Sequence, residues 1–264
     1  MRQTLKPQDE PYLLLRSLSI DYASGAREPA HSHPWGQLVF VQAGSLRLQV
    51  ADGIWVVAPG RAVLLPAEQA HSLAMYGPAR LRTLYLNPAC LDSGQLKPSA
   101  IRTLEVCALL GELILRVCAV GSLDERETHH RQLYDLILTE LSCASSEGLY
   151  LRLPTDPRGA RLADLFMDEQ HVNVPLLELC RAAGVTRRTA ERLFRDSTGL
   201  SPARWRRRHL LARGLAALSE GVDVQTAAEL AGYQYRSAFS QALTQVFGLS
   251  PGAVRKQRAY QAMP

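Results

Sequence analysis

The feature that most narrows the folds open to this chain is a repeat near its end. Gly199-Leu200-Ser201-Pro202 returns as Gly248-Leu249-Ser250-Pro251. An Ala-Gly pair precedes each copy, Ala183-Gly184 and Ala231-Gly232, 15 residues before the repeated glycine in the first and 16 in the second. A duplicated supersecondary unit is the simplest source of such a pattern. Each copy parses as helix, tight turn, helix. Val174–Ala183 should form a helix stopped by Gly184, with Thr186 capping a second helix that buries Ala190, Leu193 and Phe194. Val224–Ala231, stopped by Gly232, should lead to a helix that buries Phe239, Leu243 and Phe247. In each Ser-Pro pair, serine accepts an orphan backbone N–H while proline occupies the first turn, where its missing donor costs nothing.

The faces left over suit DNA. The second helix of the first unit should expose Arg187, Arg188, Thr189, Arg192 and Arg195, and that of the second Gln234, Tyr235, Arg236, Ser237 and Gln241. Arginine can grip guanine O6 and N7 with two parallel hydrogen bonds, which lysine cannot imitate. Between the units, Pro202–Glu220 reads as one long helix carrying Arg204, Arg206, Arg207, Arg208 and Arg213. At 1.5 Å per residue it would span roughly 28 Å, near the roughly 34 Å between successive major-groove faces. Charge follows the same division: up to Asp156 there are 14 Lys+Arg against 16 Asp+Glu, and beyond it 16 against 9. A near-neutral front and a basic back point the second half at a polyanion.

On these residues the segment from about Asp156 to Arg258 resembles the DNA-binding domain of the AraC/XylS family of bacterial transcription regulators. The resemblance rests on Ala183 to Thr189, Arg192-Leu193-Phe194, the two Gly-Leu-Ser-Pro motifs, and Ala227 to Tyr233. It implies seven helices, two of them recognition helices. It also implies base contacts from the positions of Arg188, Glu191 and Arg192 in one, and of Ser237, Ala238 and Gln241 in the other. Two of these depart from a useful reader: Glu191 would repel phosphate, although it can accept from cytosine N4, and Ala238 offers only a methyl contact.

The first hundred residues read as β structure. Leu46, Leu48 and Val50 alternate with polar residues, and Asp52-Gly53 then precedes Ile54–Val57, which predicts a hairpin with a type I′ turn. Further strands are expected at Leu38–Val41, Val63–Leu65 and Leu81–Leu86. From Ile101 the apolar period lengthens through Leu104, Cys107, Leu110, Ile114 and Val117, and again at Leu133, Ile137 and Leu141, which predicts two amphipathic helices. Leu104, Leu110, Ile114 and Val117 offer either a dimer seam or packing within one chain. Pro154 and Pro157 mark a linker.

Histidines carry the chemistry of this half. Gly25-x5-His31-x-His33-x3-Gln37-x6-Gly44 and Gly60-x5-Pro66-x4-His71 resemble the paired motifs of the cupin superfamily, whose three histidines and one glutamate bind a metal inside a small β-barrel. The resemblance implies His31, His33 and His71 as imidazole ligands of a divalent metal, with Gln37 as a possible fourth where the family has glutamate. Glu68 stands where the second motif has glycine. Without a metal, the same histidines with Trp35, Gln37, Trp55 and Tyr85 would line an effector pocket.

The expected architecture is α+β: an N-terminal cupin-like antiparallel β-barrel at 1–98, a helical dimerisation segment at 99–148, a linker at 149–157, and a C-terminal all-α double helix-turn-helix at 158–264. The function expected is a regulator that binds double-stranded operator DNA in adjacent major grooves and answers a small molecule or metal ion. A homodimer, contact with RNA polymerase, and a cytoplasmic location on the bacterial nucleoid complete that reading. Two others compete with it: a cupin metalloenzyme (oxygenase or isomerase) with a DNA-binding tail, and a constitutive architectural protein. No run of apolar residues predicts a membrane helix, and Met1–Pro7 lacks the apolar core of a secretory signal. Five scattered cysteines without a CxxC pair point to reduced thiols rather than a disulfide framework.

Overall fold

The structure, a computed structural model, describes residues 7–91, 100–145 and 149–255. Its strands are β1 (Leu13–Tyr22), β2 (Arg27–His31), β3 (Gly36–Ala43), β4 (Leu46–Val50), β5 (Gly53–Val57), β6 (Arg61–Leu65), β7 (His71–Met75), β8 (Ala79–Leu86), β9 (Arg102–Glu105), β10 (Ser122–Asp124) and β11 (Leu149–Arg152). Its helices are α1 (Pro88–Leu91), α2 (Ala108–Val120), α3 (Thr128–Cys143), α4 (Pro157–Met167), α5 (Leu176–Ala182), α6 (Arg187–Thr198), α7 (Pro202–Glu220), α8 (Val224–Leu230) and α9 (Arg236–Phe247). The described residues divide into two compact units, one of residues 7–48 and 57–145, the other of 49–56 and 149–255. The expected boundary at 98/99, the one at 148/149 and the end at 264 touch residues outside the described ones.

The strands make two sheets, in the orders β10-β1-β8-β3-β6-β9 and β11-β5-β4-β7-β2. In the first, antiparallel pairing sets Leu64, Leu38 and Leu84 in one cross-strand row, and strand alternation puts Leu86 and Leu15 on the same core. α2 and α3 close over that face. Leu110, Ile114 and Val117 recur at helical spacing, as do Tyr134, Ile137 and Leu141, and all six are buried in one core with the sheet leucines. Burying each such side chain stabilises the fold by about 1.5–3 kcal/mol.

This packing corrects two expectations. Leu104 belongs to β9, not to a helix, and Cys107 caps α2 by accepting from the Leu110 N–H. More consequentially, Leu104, Leu110, Ile114 and Val117 are completely buried within their own chain. A dimer seam cannot use side chains already spent on the monomer's core. The segment expected to be helical also contains β9 and β10, and part of the expected linker is the strand β11.

The Asp52-Gly53 signal is corrected too. A strand does turn back there, but the turn falls at Ala51 and Asp52, and neither Asp52 nor Gly53 has the positive φ of a type I′ turn. Gly53 is needed for a different reason. β11 pairs with β5, setting Tyr150 opposite Trp55 with their rings stacked at 4.5 Å, and a Cβ on Gly53 would lie 2.3 Å from the Tyr150 ring.

α7 organises the second unit. Twelve of its 19 residues are buried, so it is the apolar axis of the unit rather than an exposed rod. The Trp205 ring meets Phe166 and Phe194, and its indole N–H donates to the Arg152 carbonyl at 2.8 Å. At Gly214 the absent side chain leaves room for α8 and α9, since a Cβ there would stand 2.7 Å from the Phe239 ring and 2.8 Å from the Ala227 carbonyl oxygen. Among the described residues of this unit lie the six α-helices α4 to α9, and the backbone turns helical again at Pro251. Among the described residues no helix is long and apolar enough to cross a membrane.

Candidate functional site

The two helix-turn-helix units end their first helices in the same way. Gly184 has φ +72° and Gly232 φ +73°, a left-handed conformation that glycine adopts without steric cost. After each, the same backbone bond closes the first helix: Val185 N–H donates to Cys180 O at 2.9 Å, and Tyr233 N–H to Ala228 O at 2.8 Å. The extra residue of the second copy then finds its place. α6 starts three residues after Gly184 and α9 four after Gly232, while both helices run 12 residues and end at left-handed glycines, Gly199 and Gly248. The insertion lengthens the turn and leaves the second helices equal.

Capping separates the two. Thr186 Oγ1 accepts from Thr189 N–H, whereas Tyr235, at the matching position of α9, makes no side-chain cap. With the helix starts aligned, Arg188 corresponds to Ser237 and Arg192 to Gln241. On α6, Arg187, Arg188, Arg192 and Arg195 are exposed, and Thr189 and Glu191 half-buried. Glu191 lies 3.8 Å from Arg195, so its charge is partly answered within the helix. Around α9, Gln234, Tyr235, Arg236, Ser237, Ala238 and Gln241 are exposed, Tyr235 at 64%. Not all the basic residues of α7 share this role. The half-buried Arg206 donates to the His171 and Val172 carbonyls and lies over the Phe166 ring, which ties α4 and the segment after it to α7.

The histidines gather in the N-terminal unit. β2 ends at His31, so His33 lies in the connection to β3 rather than on a strand shared with His31. The three rings nevertheless converge, with centroids 4.5 to 6.0 Å apart and candidate ligand atoms all within 4.8 Å of one another. Each ring is held the same way. Nδ1 of His31, His33 and His71 faces the carbonyl of Pro29, Trp35 and Gln69, respectively, at 2.8–2.9 Å. A carbonyl only accepts, so Nδ1 carries the proton and the Nε2 lone pairs are left for another partner. His71 Nε2 is buried without a partner. His33 Nε2 lies 3.1 Å from the end of the Gln37 side-chain amide, and with Nδ1 protonated it is the amide NH2 that donates to it. Burial lowers the His71 pKa, and the neighbouring His31 and His33 add to this against the opposing Gln69 carbonyl and Glu28.

A left-handed residue between β6 and β7 bonds to the backbone of His33. Glu68 has φ +62°, the only positive φ among the described non-glycine residues, and its N–H donates to His33 O at 2.8 Å. This is the place of the motif glycine, and the conformation shows why glycine suits it. Tyr85 packs edge-on against His33 at 5.2 Å. Trp35 is fully buried with Arg16 over its ring, while Trp55 stacks on Tyr150 in the second unit. Glu28 went unread in the sequence. It accepts from Tyr22 OH and interacts electrostatically with His71 and Tyr85. A break in the β2–β7 register between Glu28 and His31 disrupts the alternation that would have revealed it.

Comparison with known proteins places these parts. Residues 179–257 match the model of a helix-turn-helix domain, and residues 18–141 that of the AraC-like ligand binding domain. The HTH-type transcriptional regulator NimR of Escherichia coli is 27% identical over 224 residues, covering 85% of this chain and 81% of that protein. Among solved structures, fatty-acid-bound ToxT of Vibrio cholerae aligns over 90% of this chain and 93% of its own, at 11% identity and a TM-score of 0.38. A cupin superfamily protein of Desulfitobacterium hafniense covers 28% of this chain and 67% of its own, at 16% identity and a TM-score of 0.27. TM-scores this low carry no argument about either unit.

Proposed function

We propose that the chain is a DNA-binding transcription regulator of the AraC/XylS family, with a helix-turn-helix region and a β-rich ligand-binding domain, and that both helix-turn-helix units read one duplex while the histidine cluster answers an effector. It is a non-catalytic regulator, not a metalloenzyme with a DNA-binding tail. The observation that carries the double reading is the duplicated turn: both copies keep the left-handed glycine, the closing backbone bond and a 12-residue second helix. In this reading α6 and α9 enter successive major grooves. Arg188 and Arg192 take guanine edges, and Gln241 reads adenine N6 and N7. Arg187, Arg195 and Arg236 hold phosphate, and Thr189, Gln234 and Ser237 fix the register. Glu191 meets a cytosine amino group.

For the N-terminal unit, the reading is a cupin-like β-rich domain with its effector site at the histidine cluster. The donor set fits a divalent transition metal, with one imidazole nitrogen from each of three histidines within 4.8 Å of the others and His71 Nε2 buried without a partner. His31, His33 and His71 would hold it, with Gln37 Oε1 as fourth donor. A bound metal would supply fixed positive charge that draws the three imidazoles together. Tyr85 and Glu28 would contact an organic effector sharing the site. An effector changes regulation only if it binds the two functional states with different affinity. Two copies of the chain and RNA polymerase are the partners in this reading. Pairing through α2 and α3 would have to use outward residues such as Leu109 and Leu136.

The test uses full-length protein and genomic fragments captured on it. Mobility shift is measured with and without zinc, nickel, copper and iron salts. The reading expects sequence-specific complexes whose affinity moves with one metal, and His71→Ala abolishes that response. Sequence-independent binding that no metal or small molecule alters would leave the architectural reading in its place.

A further inference from the structure

One cleft in the second unit was not expected from the sequence. It encloses about 450 Å³ between the N-terminal half of α7 and one face of α9. Arg204, Arg207 and Arg208 form one wall at helical spacing, and Gln241 and Gln245 form the other. No acidic side chain lines it among the described residues. Arg207 is already oriented: its Nε donates to the Tyr233 hydroxyl at 3.2 Å, and its guanidinium lies 4.7 Å from that ring's centroid. The hydroxyl is neutral, so the bond fixes the guanidinium without cancelling its charge. Three guanidinium groups with no carboxylate among them repel one another, and an anion set between them would relieve that repulsion.

We propose that this cleft is a phosphate clamp in which α7 grips the DNA strand running beside α9. The inference rests on the double-reader proposal and extends it by giving the helix between the readers a contact of its own. Gln241 decides the occupant. It stands on the cleft wall and on the exposed face of α9, so a duplex read by α9 lays its backbone along the same wall. The residues that grip are Arg204 and Arg208, with Arg207 held ready by Tyr233.

Salt dependence tests this without knowledge of the operator. Full-length protein is titrated onto a random-sequence duplex of about 30 base pairs over roughly 50 to 200 mM salt. The Arg204→Gln/Arg208→Gln pair is compared with Arg27→Gln/Arg116→Gln, two exposed arginines of the other unit. Each lost phosphate contact removes about 0.9 from the slope of log K against log salt. The clamp therefore predicts a slope shallower by about 2, and roughly thirtyfold weaker binding at 0.15 M, from that slope taken down from 1 M. The control pair keeps the parental slope, and Arg204→Lys/Arg208→Lys restores it by restoring the charge. Captured genomic fragments should lose affinity by the same factor as random DNA, since phosphate carries no sequence.

An unchanged slope in the glutamine pair overturns the clamp, and the double-reader proposal survives if Arg192→Ala still lowers selectivity. A parent protein that binds neither probe overturns both. Normal DNA binding with lost activation of purified RNA polymerase would assign the cleft to an acidic protein segment and also overturn the clamp.

Discussion

Gly214→Ala offers a sharp physical test of how the second reader is held. The new Cβ would meet the Phe239 ring at 2.7 Å, the Ala227 carbonyl oxygen at 2.8 Å and the Ala231 Cβ at 2.9 Å. Ordinary carbon contacts begin near 3.5 Å, so three neighbours must yield by more than half an ångström. None is the free end of a flexible chain: one is backbone, one a fully buried ring and one the methyl of Ala231, which caps the C-terminus of α8. Overpacking of this kind costs about 1–3 kcal/mol, and alanine in a helix interior returns up to about 1 kcal/mol over glycine. The net expectation is a loss of up to about 2 kcal/mol, concentrated where α8 and α9 meet α7. Urea unfolding of the full chain should show that loss, and hydroxyl-radical footprinting should show weakened protection from the second reader with the first retained. A variant as stable as the parent, with an unchanged footprint, would refute the close approach.

Three further expectations follow from other parts of the molecule. Zinc or nickel at a hundred times its dissociation constant should stabilise the parent by about 2.7 kcal/mol, while His71→Ala shows no thermal shift; equal shifts in both would remove the histidine cluster as the site. Ile114→Ala should cost about 2–5 kcal/mol in denaturant melts while any self-association constant measured by sedimentation stays at the parent's value; a weakened self-association with unchanged stability would reinstate the dimer seam. The Asp156 carboxylate, which caps α4, is held at about 2 by its hydrogen bonds from Arg158. A depressed acid stabilises above its unfolded pKa, so the parent's advantage over Asp156→Asn should stand at neutral pH. It should fade from about pH 4 and vanish near pH 2; an advantage that grows on acidification would contradict the assignment.

Signals confined to a few consecutive residues were legible in the sequence. Thr186 and Ser201 cap the helices they precede, Gly184 and Gly232 end theirs, and α7 runs from Pro202 to Glu220 as expected. The packing of α6 and α9 left their polar faces outward, which amphipathic period alone predicts. What escaped depends on neighbours distant in the chain. Gly53 looked like a turn residue because Tyr150, which needs its bare backbone, lies 97 residues further on. Leu104 continued a helical period by coincidence, and only its pairing opposite Ala62 shows it to be a strand residue. The spacing of Leu110, Ile114 and Val117 marks a buried face without saying what buries it, and the answer was the chain's own sheet. Glu28 stayed hidden behind a register break, and the arginine cleft behind the pairing of two helices that no local pattern encodes.

Two readers on one scaffold remain the central claim, and footprinting at base resolution addresses it most directly. Full-length protein on a captured genomic fragment should protect two patches about 10 base pairs apart on one face of the duplex. Arg192→Ala should erase one of them and Gln241→Ala the other. A single protected patch, or two that neither substitution affects, would contradict the account.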